Sequence, residues 1–236
     1  MKKNLQEPEL VYEDEYLLVY NKPAGLSVQT AKVSEIDLES IARAHVYDAV
    51  SVGDTEPIDV HIVHRLDQPV SGLVVIAKGG KAAAALSKAL GKKTEGPENG
   101  GATKVYKVLV SGVLPNDAGE LVDYLAKDGK TNTSRVVTED HPGDIKASGA
   151  KKAVLKYKFL EKVGDYSLYE ITLLTGRHHQ IRVQLSHAGC PIVGDYKYGF
   201  EGEANDLCLC ACKLELPHPK KKGRIMKFEV VPSWLK

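Results

Sequence analysis

Apolar and polar positions alternate with period two along much of the chain, the spacing of strands with one face turned inward. Residues 9–13 and 16–20 are β-prone runs, and Glu13-Asp14-Glu15 between them predicts a hairpin. Ile58 to Val63 and Leu73 to Ala77 read as two more strands around a polar segment. Thr103 to Val110 alternates with period two and reads as a strand, with Lys104, Tyr106 and Val108 on one face and Val105, Lys107 and Leu109 on the other. An antiparallel series follows: Leu121 to Leu125, Ser134 to Thr138, Ala153 to Leu160 and Tyr166 to Leu174, the last pair joined by a Gly164-Asp165 hairpin turn. Leu207 to Leu216 and Met226 to Pro232 supply two strands near the end.

Helical spacing is confined to three places. Ser34 or Asp37 caps a helix running to about Val46, with Ile36, Ile41 and Ala44 among its inward positions. Lys81 to Leu90 is alanine-rich, and Gly91 is its natural stop. From Thr175 to Gly189 the period changes from two to helical, placing Ile181, Leu185 and Ala188 on one side. A loop with Gly53 and Pro57 precedes Ile58, and Lys92 to Gly101 and 139–149 read as surface loops, the first of these two mobile. Strands outnumbering helices, with no repeat and no linker, predict an α+β chain built as one domain over residues 1–236.

Composition narrows the class. At 236 residues, 43% hydrophobic and 27% charged, the chain reads as an ordinary soluble globular protein. No apolar run approaches the roughly 18 residues of a membrane span, and Met1-Lys2-Lys3-Asn4 lacks a signal peptide's apolar core, so a cytoplasmic location is expected. Cys208, Cys210 and Cys212 alternate on one face and read as buried free thiols. The net charge of +1 advertises no global field for nucleic acid, so any affinity for RNA must come from local patches. The clearest is Lys220-Lys221-Lys222 with Arg224 and Lys227, which taken alone reads as a solvated turn rather than a binding patch. His178, His179 and His187 would be the ligands of a zinc site, but neighbours on a helix diverge by about 100°, and the spacing of a helical zinc motif is missing.

The densest ionisable set outside the tails is His64-Arg65-Leu66-Asp67-Gln68-Pro69-Val70-Ser71-Gly72-Leu73, a carboxylate on a loop at the mouth of a core strand. Arg65 and Asp67 alone could be a structural ion pair. The whole run resembles the signature of RluA-type RNA pseudouridine synthases, His-Arg-Leu-Asp followed by Ser-Gly. Asn21-Lys22-Pro23-Ala24-Gly25-Leu26 resembles that family's first motif, and Lys104-Val105-Tyr106 its second. Thr175-Gly176-Arg177-His178-His179-Gln180-Ile181-Arg182, continuing into Pro191-Ile192-Val193-Gly194-Asp195 and Tyr198-Gly199, resembles the third. Cys210-Ala211 stands where relatives often have His-Ala, a departure that touches packing more than chemistry. Many relatives carry a small S4-type domain at the front, and the eight residues before the first strand leave no room for one.

The resemblance implies a large mixed, mostly antiparallel sheet in two halves flanking an active-site cleft. It implies isomerisation of a uridine in ribosomal or transfer RNA by a monomer without cofactor or metal: the bond from ribose C1′ to N1 breaks, the uracil turns, and C1′ rejoins at C5. Asp67 is then the catalytic carboxylate, acting at C1′, at C6 or as a base at C2′, alternatives the sequence leaves open. Tyr106 lies against the base, and Ile181 forms an apolar wall. Arg182 keeps the carboxylate ionised when the base excludes water, with Arg177 second choice for that task or a phosphate holder. The nucleotide must be flipped from its stack, at a cost of a few kcal/mol. Arg65, beside His64, fills the gap or binds the flanking phosphate, or else only pairs with Asp67. Lys220, Lys221 and Lys222 are the candidate phosphate contacts. The rival is a noncatalytic RNA-binding protein on the same scaffold, disfavoured because Asp67, Tyr106 and Arg182 are all present.

Overall fold

The structure, a computed structural model, describes residues 6–32, 34–48, 59–92, 96–138 and 143–235. The strands in chain order are β1 (Glu9–Glu13), β2 (Leu17–Lys22), β3 (Val60–Ile62), β4 (Ser71–Lys78), β5 (Thr103–Ser111), β6 (Ala118–Asp128), β7 (Thr133–Val136), β8 (Lys151–Val163), β9 (Tyr166–Leu173), β10 (Leu209–Pro217) and β11 (Ile225–Glu229). The helices are α1 (Leu38–Asp48), α2 (Gly80–Gly91), the single turn α3 (Asp144–Ala147) and α4 (Gln180–His187). Contacts divide the chain into two compact units, Met1–Lys104 with Cys210–Lys236, and Val105–Leu209. Both divisions fall inside strands, β5 and β10, which is why no polar linker marks them in the sequence.

In the first unit β2 pairs antiparallel with β1 and β4, β3 with β4, and β11 with β10, while β10 runs parallel to β4. That parallel pair makes the sheet mixed. Leu17 and Val19 of β2, Leu73 and Val75 of β4, Leu214 and Leu216 of β10 and Met226 and Phe228 of β11 share one core with Ala82 and Leu86 of α2. Each large apolar side chain removed from water there contributes about 1.5–3 kcal/mol. The parallel contact is possible because position 72 lacks a side chain: a Cβ on Gly72 would lie 2.6 Å from the Ala211 nitrogen and closer still to its carbonyl oxygen, and its φ is +115°.

Asp37 is the cap of α1. Its Oδ1 accepts the Ser40 N–H at 2.8 Å and the Ser40 Oγ accepts the Asp37 N–H at 3.1 Å, a reciprocal box. Starting the helix at Leu38 sets its inward row to Leu38, Ala42 and Val46. The expected inward positions Ile36 and Ala44 are therefore wrong: Ile36 precedes the helix and is 72% exposed, and Ala44 faces solvent. The loop of Gly53 and Pro57, Ile58, and parts of the loops at 92–101 and 139–149 lie outside the described residues.

The second unit is an antiparallel sheet in the order β5-β9-β8-β6-β7. Gly164-Asp165 joins β8 to β9 as expected, with Gly164 at φ +59°. On the inward face Tyr157 and Phe159 meet Tyr169 edge-on at 6.0 and 5.5 Å. Val183 of α4 packs on Leu125 and Ala153 beside Val136 and Tyr198. The four cysteines are buried thiols outside any disulfide.

Candidate active site

In the first unit His64 to Asp67 lies in the loop between β3 and β4, turned by the Val70 N–H donating to the Asp67 carbonyl at 3.0 Å. Leu66 and Val70 are buried and pin the loop, leaving Arg65 exposed and Asp67 half-buried. The His64 Nε2 accepts the Val75 N–H at 2.9 Å, so this imidazole braces the loop against β4. Burial, with help from the Lys104 ammonium, pushes its pKa down to about 3 and holds the ring neutral.

Lys22, at the end of β2, is fully buried directly behind this loop. Its Nζ donates to the carbonyls of Pro23 at 3.0 Å, Leu26 at 2.8 Å and Gln68 at 3.2 Å. The Gly25 N–H also donates to the Gln68 carbonyl at 2.9 Å, and the Gln68 Nε2 donates to the Gly25 carbonyl at 3.0 Å. One ammonium thus ties the Pro-Ala-Gly turn to the residue after Asp67. Burial pulls the Lys22 pKa down to about 7 against the opposing pull of Asp67 and Cys210. Sequence reasoning noticed Lys22 only as part of a motif; its place beside a Pro/Gly turn was the available signal.

The basic turn sits between β10 and β11, with Lys220, Lys221 and Lys222 exposed. It has a buried anchor. The His218 Nδ1 accepts the N–H groups of Lys220 at 3.0 Å and Lys221 at 2.8 Å, so its Nε2 carries the proton and donates to Asp14 Oδ2 at 2.9 Å. Asp14 also accepts from Tyr12 and from the Tyr16 and Leu17 N–H groups. Burial would raise its pKa, but these bonds together pull it below the usual carboxylate range.

In the second unit Tyr106 is buried on β5 opposite Ile171. The expected helix from Thr175 is shorter than its period implied: Thr175 to His179 is loop, and α4 begins at Gln180. Gln180 holds that loop, its Oε1 accepting the Arg177 N–H at 2.9 Å and the Thr175 hydroxyl at 2.7 Å while its Nε2 donates to the Val154 carbonyl at 3.1 Å. His179 takes the left-handed conformation, φ +53°. The two adjacent histidines therefore do not diverge as helical neighbours would; their rings stack with centroids 3.8 Å apart. Arg177 Nε donates to the Lys152 carbonyl at 3.0 Å, and Ile181 is buried.

Arg182 is buried against Asp195 and the Tyr198 ring. Its Nε and Nη2 each donate to Asp195 at 2.7 Å, and its Cζ lies 4.9 Å above the Tyr198 ring. The Tyr198 hydroxyl shares a hydrogen bond with His179 Nδ1 at 2.7 Å and accepts the Ser134 N–H at 2.9 Å. Burial first, then the Arg182 charge, push the His179 pKa down to about 3, so the ring is neutral. Asp195 and Tyr198 were legible as motif residues, but nothing in the spacing tied them to Arg182.

Residues 16–187 match the family model described as RNA pseudouridylate synthase. The chain belongs to the RNA pseudouridine synthase family. A Bacillus subtilis protein named as an uncharacterized RNA pseudouridine synthase is 35% identical over 95% of this chain and 70% of the relative. Ribosomal large subunit pseudouridine synthase C of Rickettsia felis is 31% identical over 88% of this chain and 64% of its own length. Human RNA pseudouridylate synthase domain containing 1 superposes with a TM-score of 0.74 at 21% identity, covering 98% of this chain and 86% of that one. The fold is thus that of a pseudouridine synthase, an α+β chain, and the enzyme is an isomerase acting on RNA. Among the described residues no helix is long and apolar enough to cross a membrane.

Proposed function

We propose that this pseudouridine synthase isomerises a uridine of large-subunit ribosomal RNA in the cytoplasm, with Asp67 as the catalytic carboxylate. The observation that carries the assignment is the bracing of the Asp67 loop: an ammonium on three carbonyls behind it, a neutral His64 on the Val75 N–H before it, and two buried apolar anchors. A nucleophile or base held this rigidly spends little binding energy on orientation. In the proposed reaction the N1–C1′ bond breaks, the uracil turns, C5 joins C1′, and the proton lost from C5 is balanced by one gained at N1, with no oxidant or second substrate. Tyr106 lies against the base and Ile181 walls it; Arg182 donates to the charged groups; Arg65, His64, Arg177 and the Lys220 to Lys222 turn serve the flipped strand and its phosphates. The ribosomal target is supported by relatives named for the large subunit in Rickettsia felis and, at 33% identity, in Pseudomonas aeruginosa.

Asp67→Asn is the direct test, because a carboxamide is nearly isosteric but a poor nucleophile and base. Pseudouridine formation on ribosomal transcripts should fall below detection while RNA binding persists. A folded Asp67→Asn protein with wild-type turnover would remove Asp67 from the mechanism. Mapping pseudouridines in total RNA from cells with and without the gene identifies the target; a lost site in transfer RNA alone would overturn the ribosomal assignment.

A further inference from the structure

Within the first unit, the basic turn stands at the opposite end of the strands from the Asp67 loop. β10 runs parallel to β4, with Cys210 beside Ser71 and Ala211 beside Gly72, and Lys22, which holds the Gln68 carbonyl, pairs with Gly72 from the other side. Both strands then run away from that loop, β10 covering about 20 Å between Ala211 and Pro217 at the rise of a strand. The hairpin of β1 and β2 reaches the same far end, where Leu17 pairs with Ala77 and Asp14 accepts from His218. The turn there is fixed in shape. The His218 N–H joins its two ends by donating to the Arg224 carbonyl at 2.8 Å, and the Arg224 N–H closes on the Lys221 carbonyl at 3.1 Å. The His218 ring, which holds the Lys220 and Lys221 N–H groups, meets the Tyr16 ring edge-on at 5.6 Å. Lys220, Lys221, Lys222 and Arg224 are all exposed, while Glu215 on β10 is taken up by Lys213 at 3.1 Å and Lys227 at 3.5 Å.

From this geometry we infer that the turn is a remote RNA-binding surface, whose four cations, held in place by His218 and Asp14, take the phosphates of a helical segment of the substrate away from the target uridine. At about 3.4 Å per step along a duplex strand, the separation corresponds to about six base pairs. The inference rests on the reading of Lys220 to Lys222 as phosphate contacts and says which phosphates they meet. At 0.1 M salt charges are screened over about 10 Å, so cations about 20 Å from the Asp67 loop add little to the field at the reacting nucleotide. Their attraction falls on the RNA lying directly over them. A duplex suits a turn of fixed shape, because its phosphates stand at regular places and a preset backbone loses less freedom on meeting them.

Two RNAs at 0.1 M salt test it: a transcript of the RNA domain that carries the mapped uridine, and a hairpin trimmed to about three base pairs around that uridine, too short to reach the turn. Replacing Lys220, Lys221 and Lys222 together by Ala should weaken transcript binding about tenfold or more and hairpin binding by less than about twofold. His218→Phe keeps a ring against Tyr16 and every lysine, and Asp14 retains Tyr12 and two N–H groups, but the bonds to Lys220 and Lys221 are lost. It should weaken transcript binding by about threefold or more while the single-turnover rate at saturating transcript and the hairpin affinity hold. A general loosening of the sheet would lower those two as well, and that result, like wild-type transcript affinity in His218→Phe, would overturn the positioning role of His218. Equal losses on both RNAs in the triple variant would overturn the inference by placing the turn beside the reacting nucleotide. No loss on either RNA is a different failure: it would remove the reading of these lysines as phosphate contacts, on which the inference stands.

Discussion

Replacing Tyr198 by Phe deletes one oxygen and leaves the ring over Arg182 in place. That oxygen satisfies two buried groups at once, the Ser134 N–H at 2.9 Å and the His179 Nδ1 at 2.7 Å, on residues that are 5% and 8% exposed. Both residues are buried, so losing each of these bonds is expected to cost about 1–3 kcal/mol. Part of the loss is returned because the hydroxyl no longer has to be desolvated, and the net expectation is about 2–4 kcal/mol. For a chain of this size that lowers the thermal midpoint by roughly 4–16 °C. Urea unfolding followed by tyrosine fluorescence and by far-ultraviolet dichroism gives the midpoint, and agreement of the two probes shows whether one free energy describes it. A Tyr198→Phe midpoint equivalent to a loss below about 0.5 kcal/mol would refute the claim that the hydroxyl holds β7 and the 175–179 loop together.

Acid should destabilise the fold through His179. Its folded pKa, about 3, lies below the ordinary 6.5, so its contribution is complete above pH 6.5 and is lost as pH falls toward 3. The loss should reach roughly 2–4 kcal/mol at pH 4, and His179→Asn, which tolerates the left-handed backbone and keeps an acceptor, should flatten that slope; an identical pH dependence in the variant would reject it. Replacing Lys220, Lys221 and Lys222 together by Ala should flatten the plot of log RNA affinity against log salt by up to about 2–3 units while saturating turnover barely changes, and an unaltered slope would return these side chains to solvent. Gly72→Ala drives a methyl into the Ala211 backbone from a left-handed φ, and should cost more than about 3 kcal/mol; a soluble variant with a wild-type urea midpoint would show that β4 and β10 do not meet as described.

Part of this was legible from residue pattern because strands such as β8 and β11 bury one face, where period two reports burial directly, while β2 and β4, buried on both faces, read as apolar runs. The Gly164-Asp165 hairpin is a case where local chemistry and packing agree, whereas β5 buries Val105 and Leu109 on one face and Tyr106 and Val108 on the other. The pattern misled at Ile36 and at Thr175 to His179 for a shared reason. Apolar or periodic residues just before a helix mimic its first turn, and only side-chain bonds, those of Asp37 with Ser40 and of Gln180 with Thr175 and Arg177, fix where the turn begins. Lys22 and Asp195 were hidden for another reason. Their partners are three backbone carbonyls in one case and a side chain 13 residues away in the other, and neither relation leaves a trace in hydropathy.

The division of the chain inside β5 and β10 also orders events on the ribosome. Val105–Leu209 is continuous and can close its sheet as soon as β9 and α4 have emerged, whereas β4 must wait for β10, more than a hundred residues later, before Ala211 can cover Gly72. At about 5–20 residues per second that wait is on the order of 5–25 s, during which the Asp67 loop lacks its neighbouring strand. The Asp67 loop therefore reaches its folded setting last, after the unit that carries Tyr106 and Arg182 has already set.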